Sequence, residues 1–544
     1  MITADVLVIG SGGAALQAAI EASRRGVQVL LVTKSKVPSG CTAKAMGAIQ
    51  AAVRPPDSPD IHFKDTINAG RELCDPNLVK ILVYEVINRV KELESFGTVF
   101  IKENSEYKLF KFPGCSYPRA LLTESPYEGG FIRGLVKEAL RIGLEIKEEF
   151  MITKLIREGN RVIGAVGVDL KSGNTEIILA KTIILATGGG GQLFRLTTNP
   201  PDVTGDGYVM AFEVGAELVD MEFIQFRPAI VYPDELKGLP PPADGLISVG
   251  GRFYNALGER YMKKYFPDKA ERVTRDLVAI YAFKEIKAGR GTPRGGVLND
   301  LSDVPEAELS RYKDFLERCK KAGLDPRWQP IEWAPGAHHF MGGVRINEKG
   351  QANIPGLYAC GEVAGGLHGA NRLAGNALAE ALVFGYVAGK NAAEEAKGIM
   401  TPKLSPEAES QVREEEKRIK AIIERGEENY EDVRQKIQEI SSNYLSVVRN
   451  GRELEETISL TMKMKKEVLP RIGVIDFTPQ RLREALETYN LVVLALLVAN
   501  AAYIRKETRG AHYREDYPES RSELCKKIVL YKHNEEMTFK EISL

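Results

Sequence analysis

Apolar and polar positions divide the chain into three regimes. Near the start, Val6 to Ile9 is an unbroken apolar run, the pattern of a strand buried on both faces of a parallel sheet. It leads into Gly10-Ser11-Gly12-Gly13-Ala14-Ala15, a helix from about Gly13 to Arg25, and a second apolar strand, Val27 to Val32. Two further apolar runs end in glycine turns: Thr182 to Ala186 before Thr187-Gly188-Gly189-Gly190-Gly191, and Gly356-Leu357-Tyr358-Ala359-Cys360-Gly361-Glu362. From 226 to 344 the pattern is mixed, with a proline-rich stretch at Leu239 to Pro242 and a turn at Asn255 to Gly258. After a linker at Pro402-Lys403, helical spacing returns over Ser405 to Glu439, Leu454 to Val468 and Pro479 to Lys506, and Ser520 to Leu544 is short and mixed.

The first unit is βαβ with G-x-G-x-x-A at its turn, where glycines let a pyrophosphate approach a helix N-terminus. Gly10, Gly12, Gly13, Ala14 and Ala15 are the candidate contacts. The acidic residue that usually follows the second strand is absent, because Thr33-Lys34-Ser35 stands there; Lys34 and Ser35 take its place as candidates. The small-residue segment Ser39 to Ala52, with Thr42 and Gly47, could lie against the same ligand. Three separate glycine-terminated strands fit a long dinucleotide such as FAD, adding Ala186, Thr187, Gly188 and Glu362, the last free for a ribose or ribitol hydroxyl. Asp206, in Thr204-Gly205-Asp206-Gly207, reads equally as a fourth contact or a turn residue. The expected fold is therefore α/β. A Rossmann-like FAD-binding domain (1–225 and 345–400) carries an inserted α+β capping domain (226–344), a C-terminal helical bundle (401–506) and a tail (507–544).

One more stretch reads as an anion site. In Leu367 to Gly385, His368, Asn371 and Arg372 precede Gly375 and a small-residue helix beginning near Ala377. The first N–H groups of such a helix are open, and its dipole favours a negative charge. Arg372 adds a planar fork suited to a carboxylate, with Asn376, Ala377 and Leu378 as cofactor contacts. The plainer alternative is a loop capped by Asn376.

Composition narrows the picture further. The 74 basic and 74 acidic residues cancel, so no field steers the chain to nucleic acid or an anionic membrane. Six scattered cysteines without C-x-x-C spacing argue against an iron–sulfur cluster or zinc and for reduced thiols in a cytoplasmic setting. The N-terminus lacks a signal-peptide pattern. The most apolar helical run, Leu491 to Ala502, is about half the length needed to cross a bilayer, so membrane contact is expected through a partner and not by direct insertion.

With GSGGAA, ATGGGG, TGDG, DMEFIQF, RVTRD, AHHFMGG, LHGANRLAGNALAE and ETRGAHYREDYPE in this order, the chain resembles the flavoprotein subunits of succinate dehydrogenase and fumarate reductase, a family that includes L-aspartate oxidase. The resemblance implies hydride transfer between FAD N5 and a small dicarboxylate-type substrate, interconverting fumarate and succinate or a related carboxylated alkene, with an iron–sulfur partner subunit carrying electrons. It gives Arg372 and His338 the role of carboxylate clamps and Arg275 that of proton donor. The plain reading of Arg275 is a salt bridge on a helix face. Asp244 and Asp276 are the carboxylates near enough in sequence to resupply its proton. The departures matter too. Cys41-Thr42 stands where covalently flavinylated members have a histidine, which predicts dissociable FAD and favours the reductive direction. Arg227 replaces a histidine, and Ala243 to Ile247 lacks the family's threonine and arginine, so the substrate pocket is altered. L-aspartate oxidase is the alternative activity.

Overall fold

A computed structural model of the chain describes residues 1–45, 48–124, 129–242, 246–424, 426–534 and 536–543. Its base is a seven-stranded sheet. Strand β1 (Ile2–Ile9), helix α1 (Gly13–Arg24) and strand β2 (Val29–Val32) make the βαβ unit, and β3 (Glu145–Lys147) extends it in parallel. The next strands, β4 (Phe150–Glu158), β5 (Arg161–Asp169) and β6 (Thr175–Leu185), form an antiparallel meander whose last member returns parallel to β1.

Register decides where the site lies. Ile9 is level with Val32 on one side and Leu185 on the other, and Leu185 is level with Ala359. Four parallel strands therefore stop together, and the loops that begin at Gly10, Thr33, Ala186 and Cys360 leave from one edge, where α/β sheets hold their ligands.

Beyond β6 come α2 (Asp206–Glu213) and a two-residue strand β7 (Leu218–Val219), after which the chain enters an antiparallel capping sheet. Its strands are β8 (Ile224–Tyr232), β9 (Arg252–Tyr254), β10 (Val297–Asp300) and β11 (Ile331–Phe340), ordered β8-β11-β10-β9, with α3 (Arg275–Glu285) packed on β8 and β11. The cap has its own small core, in which the rings of Trp333 and Phe253 meet at 4.9 Å. Strands β12 (Gly343–Arg345), β13 (Leu357–Ala359) and β14 (Ala364–Gly365) lead back to the base and to α4 (Asn376–Lys397). Gly389 lets α4 press on α1, since a Cβ there would stand 2.3 Å from Ala18 O.

Ser405 to Glu439 reads as one helical stretch but folds as two helices, α5 (Pro406–Glu424) and α6 (Tyr430–Tyr444), because Glu428 and Asn429 pair with Ile472 and Gly473 and the Asn429 side chain caps α6. Helices α7 (Gly451–Lys463) and α8 (Pro479–Ile504) follow, capped by Asn450 and Thr478. The apolar run at Leu491 to Ala502 thus belongs to a 26-residue helix that is long and apolar enough to cross a membrane, yet 89% of its apolar window is buried inside the protein. The tail is more ordered than its sequence suggested: β15 (Lys527–His533) and β16 (Glu536–Ile542) form a hairpin, and β15 pairs with β7, Leu530 opposite Leu218. A two-residue strand has no periodicity to read, so this pairing had no local signal.

Two buried histidines outside the catalytic region set a pH limit on this fold. His62 Nε2 lies 2.9 Å from Asn376 Oδ1, and burial pushes its pKa down to about 4. His512 Nδ1 accepts from Arg449 at 2.8 Å and is also held well below its ordinary value, by burial and then by Arg449. Each binds a proton more readily unfolded than folded, so stability present above pH 6.5 is lost as pH falls towards 4. For His62 alone the loss is on the order of 3 kcal/mol. The thermal midpoint of the holoprotein is expected to drop steadily from pH 7 to 4.5; a flat profile would contradict this assignment.

Candidate active site

The loops leaving the sheet edge wall a cavity of about 1040 Å³ between base and cap. Its floor is shaped for close backbone approach. Gly10 has φ +128°, and a Cβ there would sit 2.2 Å from Ala186 O. Helix α1 starts behind Gly12 with no side-chain cap and no acid in its first turn, and α4 starts the same way behind Gly375, φ +88°. Two helix N-termini therefore offer unpaired N–H groups and positive dipole ends to one space. Among the expected cofactor contacts, Gly10, Gly12, Gly13, Ala14, Thr42, Ala186, Thr187, Gly188, Glu362, Ala377 and Leu378 line it. These walls fit the pyrophosphate and ring system of FAD.

Other expected contacts lie elsewhere. Ala15 is fully buried in the core. Ser35 joins its backbone to Thr33 Oγ1 and Glu149 N. Asn376 directs its side chain to His62 and Thr66, away from the cavity, which also removes it as a cap for α4. Gly47 falls outside the described residues.

Lys34 and Asp206 both line the cavity but are bonded to each other at 2.6 Å, and Lys34 also pairs with Glu487 of α8 at 2.7 Å. Asp206 further accepts from Thr204 and Asn490. Burial opposes the Lys34 charge, yet Asp206 and Glu487 together hold its pKa above the ordinary value. The residue standing where an acid would meet the ribose is thus neutralised from beneath, by a helix more than 450 positions away in sequence.

Three guanidinium groups and an imidazole converge at the other end. Arg227 on β8, His338 on β11, Arg275 at the first position of α3 and Arg372 before α4 all line the cavity. Burial, Arg275 and Arg227 lower the Arg372 guanidinium to about 10. Burial, Arg227 and Arg372 hold His338 well below its usual value, so its imidazole is neutral at pH 7. Its Nδ1 lies 2.7 Å from Thr198 Oγ1, leaving Nε2 to meet a ligand. Asp276, one candidate to resupply Arg275, lies 3.9 Å from Arg71 and does not line the cavity; Asp244, the other, falls outside the described residues. Cys41 sits in the short helix Gly40–Ala43 on the cavity wall, and burial with Glu362 nearby pushes its thiol well up.

Several positioning residues escaped the sequence reading. Gln225 accepts from Arg372 Nη2 at 2.7 Å and donates to Arg372 O and Asn371 Oδ1, fixing the guanidinium. Thr198 and Asn199 hold His338 by ring and backbone. Thr-Thr-Asn-Pro-Pro carries no signal beyond a turn, whereas Gln225 lies inside DMEFIQF and could have been singled out. His339, His368 and Glu380 are a group whose ligand atoms lie within 4.8 Å of one another, and the imidazoles are turned to Glu362 at 3.4 Å and Glu380 at 2.9 Å.

Comparison with known proteins agrees with this geometry. Residues 5–378 match a family model described as an FAD binding domain, and residues 434–544 match one described as fumarate reductase flavoprotein C-term. The chain is 40% identical to one of the subunits of the CoM/CoB fumarate reductase of Methanothermobacter marburgensis, over 97% of this chain and 96% of that one. It is 34% identical to a chloroplastic L-aspartate oxidase of Oryza sativa, over 98% and 85%. A structure of E. coli quinol fumarate reductase superposes with a TM-score of 0.92 at 29% identity, covering 100% of this chain and 97% of that one.

Proposed function

The chain belongs to the succinate dehydrogenase and fumarate reductase flavoprotein family and takes FAD as its cofactor, and on that premise we propose that it reduces fumarate, or a closely related carboxylated alkene, to the saturated dicarboxylate. The observation that carries this reading is the convergence of Arg227, Arg275, Arg372 and neutral His338 on one end of the FAD cavity.

Bound FAD supplies the hydride. The remaining work falls to the chain. Arg372, fixed by Gln225, grips one substrate carboxylate; Arg227 and His338 grip the other, and their combined pull stabilises the charge that develops on the alkene. Arg275 places an N–H at the second alkene carbon and gives up its proton there. Asp244 is the proposed source of the replacement proton. The cap carries Arg227, Arg275 and His338 while the base carries Arg372, so water is excluded when the two meet. Electrons arrive through a separate iron–sulfur subunit. The Methanothermobacter relative is named for CoM/CoB, which makes thiols of that kind the first reductants to try.

Anaerobic titration of the purified protein tests the reading. After chemical reduction, fumarate should reoxidise the flavin stoichiometrically, whereas L-aspartate should leave oxidised flavin unchanged. Reduction by L-aspartate, with no response to fumarate, would replace this reading with an aspartate oxidase.

FAD is proposed to be held without a covalent bond. With its thiol neutral, Cys41 is a weak nucleophile. Acid precipitation should leave all the yellow colour in the supernatant; yellow absorbance retained in the washed pellet would reveal a covalent link such as a thioether.

A further inference from the structure

The wall of the cavity buries two carboxylate–imidazole pairs that the proposed reaction does not use. His339 Nδ1 lies 3.4 Å from Glu362 Oε2, and His368 Nε2 lies 2.9 Å from Glu380 Oε2. The two rings meet edge to face, centroids 5.3 Å apart. One nitrogen of each ring is turned to its carboxylate; the other two, His339 Nε2 and His368 Nδ1, are buried with no hydrogen-bonding partner among the described residues. Four ionisable groups thus form a row running from α4 to the cavity, which His339 and Glu362 line together with Arg372.

A buried polar atom left without a partner costs on the order of 1–3 kcal/mol, which marks these two nitrogens as places for a proton or for a group bound in the cavity. An imidazole held on one side by a carboxylate and open on the other is a proton acceptor. His339 is kept neutral by burial, with Arg372 and His368 opposing a charge and Glu362 favouring one. The other groups around it are His338 on the same strand, Glu380 behind His368, and Cys41, which faces Glu362. Any new negative charge in the cavity tips this balance towards protonation.

We propose that His339, held by Glu362 and backed by the His368–Glu380 pair, takes up one proton from solvent when FAD is reduced and returns it on reoxidation. Two electrons and one proton convert FAD to a reduced form carrying one negative charge, and a second proton on His339 cancels that charge. Two electrons therefore enter with two protons, and the cavity stays at constant charge through turnover. The electrons come from the iron–sulfur partner, or from dithionite in the test. The inference rests on FAD binding and is independent of which alkene is the substrate.

Potentiometric titration of the holoprotein between pH 5.5 and 8.5, following the flavin spectrum, decides it. In the unmodified protein the reduction equilibrium should shift a hundredfold per pH unit, about 59 mV for a two-electron couple, across the window in which His339 titrates. In His339→Phe and His339→Gln it should shift tenfold, about 30 mV per pH unit. A tenfold slope throughout in the unmodified protein would overturn the proposal, as would FAD-bound variants that keep the steeper slope. Loss of FAD from both variants would place the pair in cofactor retention and overturn it too. So would one equivalent of transition metal retained by the purified protein, since the metal would occupy the open nitrogens.

Discussion

Arg275→Gln is expected to leave FAD bound and to lower fumarate turnover by about a thousandfold, within the range that a positioned acid contributes. Glutamine keeps most of the side-chain length and a hydrogen-bonding end but has no proton to give. Arg275 occupies the first position of α3, where the helix dipole already presents positive charge, and Arg227 and Arg372 line the same cavity. The measurement is steady-state fumarate reduction with an artificial donor, alongside FAD content. Turnover within a few fold of the unmodified protein would show that the proton comes from another residue.

Arg372→Gln is expected to act on binding as well as rate. Removing one member of a buried, hydrogen-bonded charge pair costs about 2–5 kcal/mol, so kcat/KM for fumarate should fall by roughly 30-fold to several thousandfold. Arg372→Lys should recover little of it, since a single ammonium cannot meet a carboxylate at two points while also donating to Gln225. Stability should move the other way. The Arg372 pKa is lower folded than unfolded, so at neutral pH its charge destabilises the fold, through burial and then the nearness of Arg275 and Arg227. The thermal midpoint of Arg372→Gln should therefore equal or exceed that of the unmodified protein. A midpoint several degrees lower, with kcat/KM preserved, would recast Arg372 as structural.

The two side chains reach the cavity from different parts of the chain. Arg275 arrives on the cap and Arg372 on the loop before α4. Both were legible in the sequence, because RVTRD and HGANR are recognisable motifs. Gln225, which aims Arg372, and Thr198, which engages His338, act through hydrogen bonds from a distant strand and turn. Thr198 has no mark of such a role in its neighbours in sequence, whereas Gln225 lies inside DMEFIQF. Ala15 and Asn376 show the converse: each sits inside a motif that lines the cavity, but a helix turns successive residues by about 100°, and these two side chains point to the core and to His62.

By itself the sequence determined what local rules govern. Apolar runs broken by glycines specify parallel strands whose turns admit a pyrophosphate, and the spacing of apolar positions specifies the helices of the C-terminal part. Tertiary structure alone decided how charge is distributed: Lys34 neutralised by Glu487, Asp206 engaged by Asn490, His339 set against His368, and the tail hairpin joined to Leu218. The reason is physical. Strand and helix formation depend on neighbours a few residues away, whereas the pairing of buried charges and strand edges depends on groups brought together through space, and their separation along the chain leaves no pattern to read.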